Sequence, residues 1–253
     1  MTARKLHDRL RQASPDALVA YLTGGYPDPD AFFDVLLQVA AEVDVVEIGI
    51  PFTDPMADGV TLQATSAQAL ERGTTLTGLL DRLAELKIDT PIVCMSYLNP
   101  LLSLGERLVP SLVRAGVSGL VVPDLPFEEC GPLDRALDEA ALALIQLIAP
   151  TTPLERASRL AASSRGFVYV VTSRGVTGGD ASLPEDLGRR LSALRACTDV
   201  PVLAGFGIRR AEQVQALRAH SDGVIVGSAL MNTLTQGRDP VAFLRGLRNR
   251  RTE

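Results

Sequence analysis

The sequence has no tryptophan, only two histidines (His7 and His220) and only two lysines (Lys5 and Lys87). So little imidazole excludes a His-rich metal site and confines histidine chemistry to two positions. Acid–base work then falls to carboxylates, tyrosine, lysine or cysteine. Cysteine is also scarce: Cys94, Cys130 and Cys197 are odd in number, far apart and form no Cys-x-x-Cys. That argues against a disulfide framework or a zinc knot. No run reaches the roughly 18–20 apolar residues of a membrane span. Residues 1–12 are charged and amphipathic, without the apolar region of a signal peptide. We therefore expect a protein of a reducing, cytoplasmic compartment. A formal net charge of -5 argues against a nucleic-acid coat or an anionic membrane as partner.

Apolar residues make up 46% of the 253 and charged residues 22%, the balance of an ordinary globular protein with a sizeable core. Short runs rich in Val, Ile and Leu recur at 17–22, 43–48, 91–95, 117–122, 142–148, 166–172, 200–204 and 223–226. Most are continuous rather than alternating, the pattern of parallel strands buried on both faces. Helical periods lie between them at 29–41, 76–86, 102–115, 132–141, 153–162, 185–196 and 209–219. About eight strand–helix repeats in this length predict one α/β domain over residues 1–253, a (β/α)8 TIM barrel with an extra N-terminal helix. An open doubly wound sheet is the alternative. Residues 51–72 and 173–183 exceed normal connections and predict long functional loops after strands two and six.

A barrel places its site at the C-terminal ends of the strands. Glu47 lies inside Asp-Val-Val-Glu-Ile-Gly-Ile, a strand expected to be buried. A carboxyl group there is costly unless paired or neutral, and burial raises its pKa toward neutrality. Asp58 lies in the first long loop and either reaches the barrel mouth or caps a helix beginning near Val60. Gly205-Phe-Gly207 and Gly227-Ser228 follow strands seven and eight, the usual phosphate position of barrels. Residues 229–234 are expected to form the short helix behind that cradle. Gly178-Gly179 adds possible N–H donors, and Tyr169 is either a pocket or a core residue. Cys94, Asp124 and His220 have bland structural explanations: a small buried hydrophobe, a turn anchor and a helix-end contact. The arginines of residues 245–251 read as a solvated helix face.

The run from Glu47 through Ile-Gly-Ile-Pro-Phe-Thr-Asp-Pro-Met-Ala to Asp58-Gly resembles the signature of the tryptophan synthase alpha subunit family. The likeness continues at Tyr21-Leu-Thr-Gly, Met95-Ser-Tyr-Leu-Asn-Pro100, Val122-Pro-Asp124-Leu-Pro, Gly175-Val-Thr-Gly178, Gly205-Phe-Gly207-Ile and Gly227-Ser228-Ala. It covers nearly the whole chain. Val60 and Arg174 depart from the family pattern or stand at variable places in it. The resemblance implies a lyase that cleaves indole-3-glycerol phosphate to indole and glyceraldehyde 3-phosphate in tryptophan biosynthesis, with no metal or organic cofactor. It implies Glu47 as general acid–base residue and Asp58 as the carboxylate that binds the indole N–H. Tyr169 becomes a pocket residue, and Gly178, Gly207, Gly227 and Ser228 a phosphate cradle. It also implies a cytoplasmic αββα heterotetramer with a pyridoxal-phosphate beta subunit. Three other readings share parts of this pattern: a stand-alone indole-releasing lyase, a barrel kept to activate a partner, and another phosphate-binding barrel.

Overall fold

The computed structural model describes residues 2–172 and 186–248. Eight parallel strands close into a barrel in chain order. They are β1 (Ala17–Thr23), β2 (Val45–Gly49), β3 (Ile92–Met95), β4 (Val117–Val121), β5 (Ala143–Ile148), β6 (Val168–Val171), β7 (Val202–Gly205) and β8 (Gly223–Val226). Every residue of β1 to β4, β7 and β8 is buried, which explains the continuous apolar runs: side chains pack the barrel interior on one face and helices on the other. Pairing of β1 with both β2 (Val19 opposite Val45) and β8 (Ala17 opposite Gly223) removes every free edge.

The helices are α1 (Thr2–Ala13), α2 (Ala31–Ala40), α3 (Val60–Glu71), α4 (Leu76–Glu85), α5 (Leu98–Leu104), α6 (Leu108–Arg114), α7 (Gly131–Glu139), α8 (Leu154–Ser163), α9 (Leu187–Arg195), α10 (Ala211–Leu217), α11 (Ser228–Thr235) and α12 (Pro240–Arg248). The extra helix α1 presents one apolar stripe, and Leu6 and Leu10 on it are fully buried. A side chain added at Gly166, just before β6, would strike Leu6 at 2.7 Å, so α1 plugs the N-terminal end of the barrel. Two buried aspartates tie that end. Asp44 accepts the Leu18 N–H at 3.0 Å and pairs with Arg9 at 3.2 Å and Arg248 at 2.6 Å. Asp222 accepts the Val202 N–H at 2.8 Å and pairs with Arg195 at 3.1 Å.

Three expectations need correction. Most of the long stretch 51–72 is α3, not loop. Its inward residues include Thr65 and Ser66, buried by hydrogen bonding to Thr23 and Phe52, so its apolar period is faint. The helix expected over 102–115 is two, α5 and α6, separated by a turn at Gly105 (φ 52°) and restarted with Pro110 in the first turn of α6. The arginines of α12 are not simply solvated: Arg248 reaches the buried Asp44, and Arg245 pairs with Glu42 at 2.6 Å. The loop predicted after β6, residues 173–183, lies outside the described residues, as does Gly178.

Candidate active site

Tyr21 and Glu47 are register partners on β1 and β2, at one level of the barrel. Space for the tyrosine comes from Gly49, where an added Cβ would lie 1.9 Å from the Tyr21 hydroxyl. The same device recurs across the barrel: a Cβ at Gly205 on β7 would lie 2.5 Å from the ring of Tyr169 on β6. Two inward glycines thus admit two tyrosines beside one carboxyl group.

Glu47 is fully buried, and neither carboxyl oxygen has a hydrogen-bond partner. Burial, and then the charge of Asp58, raise its pKa to about 8. At neutral pH the group is mostly the neutral acid. Its neighbours share the burial: the Tyr169 phenol is pushed up by desolvation and then by Glu47.

Asp58 reaches the same region from the loop between β2 and α3. The turn is held by the Asp58 N–H to Pro55 O (3.1 Å), the Ala57 N–H to the Tyr97 hydroxyl (2.8 Å) and the Gln63 amide to Asp58 O (2.9 Å). Gly59, not Asp58, caps α3, and no side chain bonds to that cap. The Asp58 carboxyl group is instead buried against Tyr97. Burial raises its pKa to about 6, opposed by the hydrogen bond from Tyr97. One acid is therefore mostly protonated and the other mostly ionised at neutral pH, the division expected of an acid–base pair.

A cavity of about 330 Å³ opens at this end of the barrel. Tyr21, Tyr169, Phe206 and Leu147 line it, and so do Ala57 and Gly59 on either side of Asp58. Glu47 and Asp58 themselves sit behind that lining. The opposite rim carries Gly207, Gly227 and Ser228. Phe206 and Gly207 both hold positive φ (76° and 75°), the Phe206 conformation being a strained one. It is fixed by the Thr172 hydroxyl on Phe206 O and the Thr172 N–H on Gly205 O at 2.8 Å. Gln213 locks the next residues: its amide oxygen accepts the Arg209 N–H (2.9 Å), and its amide nitrogen donates to Gly207 O (3.1 Å). Ser228 opens α11, whose first turn directs free N–H groups and the positive end of the helix dipole at the rim.

The structure thus brings Glu47, Asp58, Tyr169, Gly207, Gly227 and Ser228 to one mouth. Others stay apart. Asp54 is exposed and bonded by Thr53 (2.6 Å). Asp124 anchors a turn through the Leu98 N–H (2.9 Å). His220 meets Ser192 (3.1 Å) on the outside. Cys94 is fully buried, which pushes its thiol pKa up, and the Glu47 charge within reach adds to the shift. Among the described residues no three His, Cys, Asp or Glu cluster as metal ligands, and no helix is long and apolar enough to cross a membrane. The sequence showed Tyr97 and Phe206 only as members of motifs and set apart neither Arg209 nor Asn232; all but Tyr97 line the cavity. Tyr97, Phe206 and Arg209 follow the C-terminal ends of β3 and β7, and that rule alone would have marked them; Asn232 lies inside α11.

An eight-stranded α/β barrel with two pKa-raised carboxylates beneath a glycine-rimmed mouth is the layout of a barrel enzyme working by carboxylate acid–base chemistry. Comparison with known proteins gives the particular family. Residues 7–246 match the family model described as tryptophan synthase alpha chain. A tryptophan synthase alpha chain of Nitratidesulfovibrio vulgaris (strain DP4) is 40% identical over 97% of this chain and 98% of its own length. That of Alkalilimnicola ehrlichii is 44% identical over 88% and 84%. Among solved structures, tryptophan synthase from M. tuberculosis in its aminoacrylate-bound form superposes with TM-score 0.86 at 31% identity, over 98% of both chains. The alpha subunit from Legionella pneumophila str. Paris gives 0.85 at 30%, over 98% of this chain and 97% of that one. The chain belongs to the tryptophan synthase alpha chain family, carbon–carbon lyases that cleave indole-3-glycerol phosphate in tryptophan biosynthesis. In the known complexes the family pairs with a beta subunit.

Proposed function

We propose that Glu47 and Asp58 divide the proton and charge work of indole-3-glycerol phosphate cleavage in a single barrel domain spanning residues 1–253. The observation that carries this is the pair of buried carboxyl groups with pKa values near 8 and near 6, the first with both oxygens unpartnered. Protonated Glu47 turns into the cavity and gives its proton to C3 of the indole ring. The ring becomes a cation, and ionised Asp58 accepts the indole N–H and stabilises that charge. The bond from C3 to the hydroxyl-bearing carbon then breaks, and its electron pair restores the aromatic ring. The Glu47 carboxylate takes the hydroxyl proton as the aldehyde forms, which returns the enzyme to its starting state. This chemistry asks for no metal or organic cofactor.

Tyr169 packs on the indole side of the cavity. Gly207, Gly227 and Ser228 hold the phosphate through N–H and hydroxyl donors; Gly178, which the family pattern groups with them, lies outside the described residues. Anchoring the phosphate positions the distant carbon–carbon bond. The partner is the pyridoxal-phosphate beta subunit in an αββα complex. Support comes from Met56 and Val60, 77% and 69% exposed beside the mouth, and from Leu102 on neighbouring α5, 65% exposed. Three free cysteines support a reducing, cytoplasmic setting.

Indole release from indole-3-glycerol phosphate by the purified chain, with and without a beta subunit, tests the reading. Glu47→Gln should abolish release while substrate still binds, and Asp58→Asn should lose most of it. A fully active Glu47→Gln enzyme would refute the acid–base assignment.

A further inference from the structure

Thr172 stands just past the end of β6, is 1% exposed, and bonds twice to the turn after β7. Its N–H donates to Gly205 O at 2.8 Å, and its hydroxyl donates to Phe206 O. Successive carbonyls of an extended strand face opposite neighbours. Here two successive carbonyls face the same neighbour, and the positive φ of Phe206 (76°) makes that possible. A bulky L-residue rarely adopts this conformation, so its surroundings must hold it there. Among the described residues, the Thr172 hydroxyl is the group bonded to the Phe206 carbonyl.

The Phe206–Gly207 peptide is trans. In a planar trans peptide the C=O and the following N–H point in opposite directions. The Phe206 carbonyl is turned toward β6, so the Gly207 N–H is turned toward β8, which lies on the other side of β7. Gly227 and Ser228 follow β8 there, on the rim of the same cavity. Among the described residues no group accepts the Gly207 N–H. Gln213 holds the next carbonyl, Gly207 O, at 3.1 Å and leaves the Phe206–Gly207 peptide plane to Thr172.

We infer that Thr172 is a positioning residue for substrate binding: by holding the Phe206 carbonyl, its hydroxyl aims the Gly207 N–H at the phosphate. This rests on the phosphate placement proposed above. Thr172 does not line the cavity, so it acts through the peptide and not by contact. Without the hydroxyl the strained turn relaxes, the peptide rotates, and the cradle loses one aimed donor. The contacts join β6 to β7, whereas Glu47 stands on β2, so the effect falls on binding and not on proton transfer.

Thr172→Val removes the hydroxyl at nearly constant size, and Thr172→Ser keeps it. Calorimetric titration with inorganic phosphate and steady-state kinetics on indole-3-glycerol phosphate compare both with the unsubstituted chain. Thr172→Val should weaken inorganic phosphate and raise KM by about tenfold, the lower end for one hydrogen bond to a charged group. The kcat should stay within about twofold, as expected when only binding is lost, and Thr172→Ser should keep both constants within about twofold. Where Thr172→Val does not fold, Thr172→Ala carries the same expectations. An amide NMR titration reads the aim directly: inorganic phosphate should shift the Gly207 N–H in the unsubstituted chain and in Thr172→Ser, and much less in Thr172→Val. An equal shift in Thr172→Val, or unchanged phosphate affinity, would overturn the inference and leave the phosphate placement standing. A Gly207 N–H that ignores phosphate in the unsubstituted chain would overturn the placement and the inference with it.

Discussion

A carboxyl group with no partner on either oxygen, sealed in a barrel core, is held at a cost that depends on pH. In the unfolded chain Glu47 ionises near 4.5; in the folded chain it does so near 8. Between those values the folded state holds a proton that the unfolded state has released. Stability is thus undiminished by this group below about 4.5 and falls as pH rises toward 8. Glu47→Gln removes the dependence. Urea unfolding at pH 5, 7 and 8.5 should find the variant and the parent close at pH 5. At pH 8.5 the variant should be more stable by an amount on the order of a few kcal/mol, at about 1.4 kcal/mol per pH unit crossed. Equal stability at pH 8.5 would contradict the raised pKa. Asp58 allows a second test at this scale. Tyr97 lowers its pKa against the pull of burial, so Tyr97→Phe should move the acid limb of kcat/KM to higher pH. The rate should drop severalfold near pH 6 and less near pH 7.5; a uniform loss at all pH values would mean that Tyr97 only supports the loop. Glu47 was legible in the sequence because an ionisable residue stood in an apolar run. The setting of Asp58 was not, because Tyr97 lies 39 residues further along and meets it only in the fold.

The strands were legible because burial on both faces leaves a continuous apolar run, whatever the helices do. The helix α11 was legible from its place after β8; of α3 the start near Val60 was legible but its extent was not, since Thr65 and Ser66 share its inward face with Leu62 and Ala69. What no single run could reveal is the coupling between strands. Gly49 reads only as the last residue of β2, yet its missing side chain is what admits Tyr21 from β1. Gly49→Ala puts a methyl group where the Tyr21 hydroxyl sits, at 1.9 Å, and the ring must leave its place. Overpacking of this kind costs about 1–3 kcal/mol. We expect a lower melting temperature and a fall in kcat of tenfold or more, because the displaced ring moves into the cavity beside Glu47. The double variant Gly49→Ala with Tyr21→Phe should recover part of the stability, since the hydroxyl is the atom struck first. No recovery would place the strain elsewhere in β2.

At the scale of the molecule, closing the barrel leaves the first helix and the last described helix at one pole, and Asp44 joins them. Its carboxylate, 6% exposed, faces Arg9 of α1 and Arg248 of α12 and also accepts the Leu18 N–H of β1. The first helix, the last described helix and the seam of β1 with β2 are thereby fastened to one side chain. Arg245, one turn before Arg248, pairs with Glu42 beside it, but Arg245 is 65% exposed and Glu42 19%, against 6% for Asp44. The two ion pairs of one helix therefore separate geometry from environment. Surface pairs are weak because water competes for both partners. Removing Asp44 strands a buried N–H and releases two arginines at once, a loss of about 2–4 kcal/mol. Asp44→Ala should lower the melting temperature by roughly 4–16 °C, at about 2–4 °C per kcal/mol for a chain of this size. Arg245→Ala should change it little. The kcat of the folded Asp44→Ala enzyme should be unchanged, since the mouth lies at the other pole. An Asp44→Ala variant as stable as Arg245→Ala would mean that α1 and α12 are held by their apolar faces alone. The buried aspartate would then have no part in closing the fold.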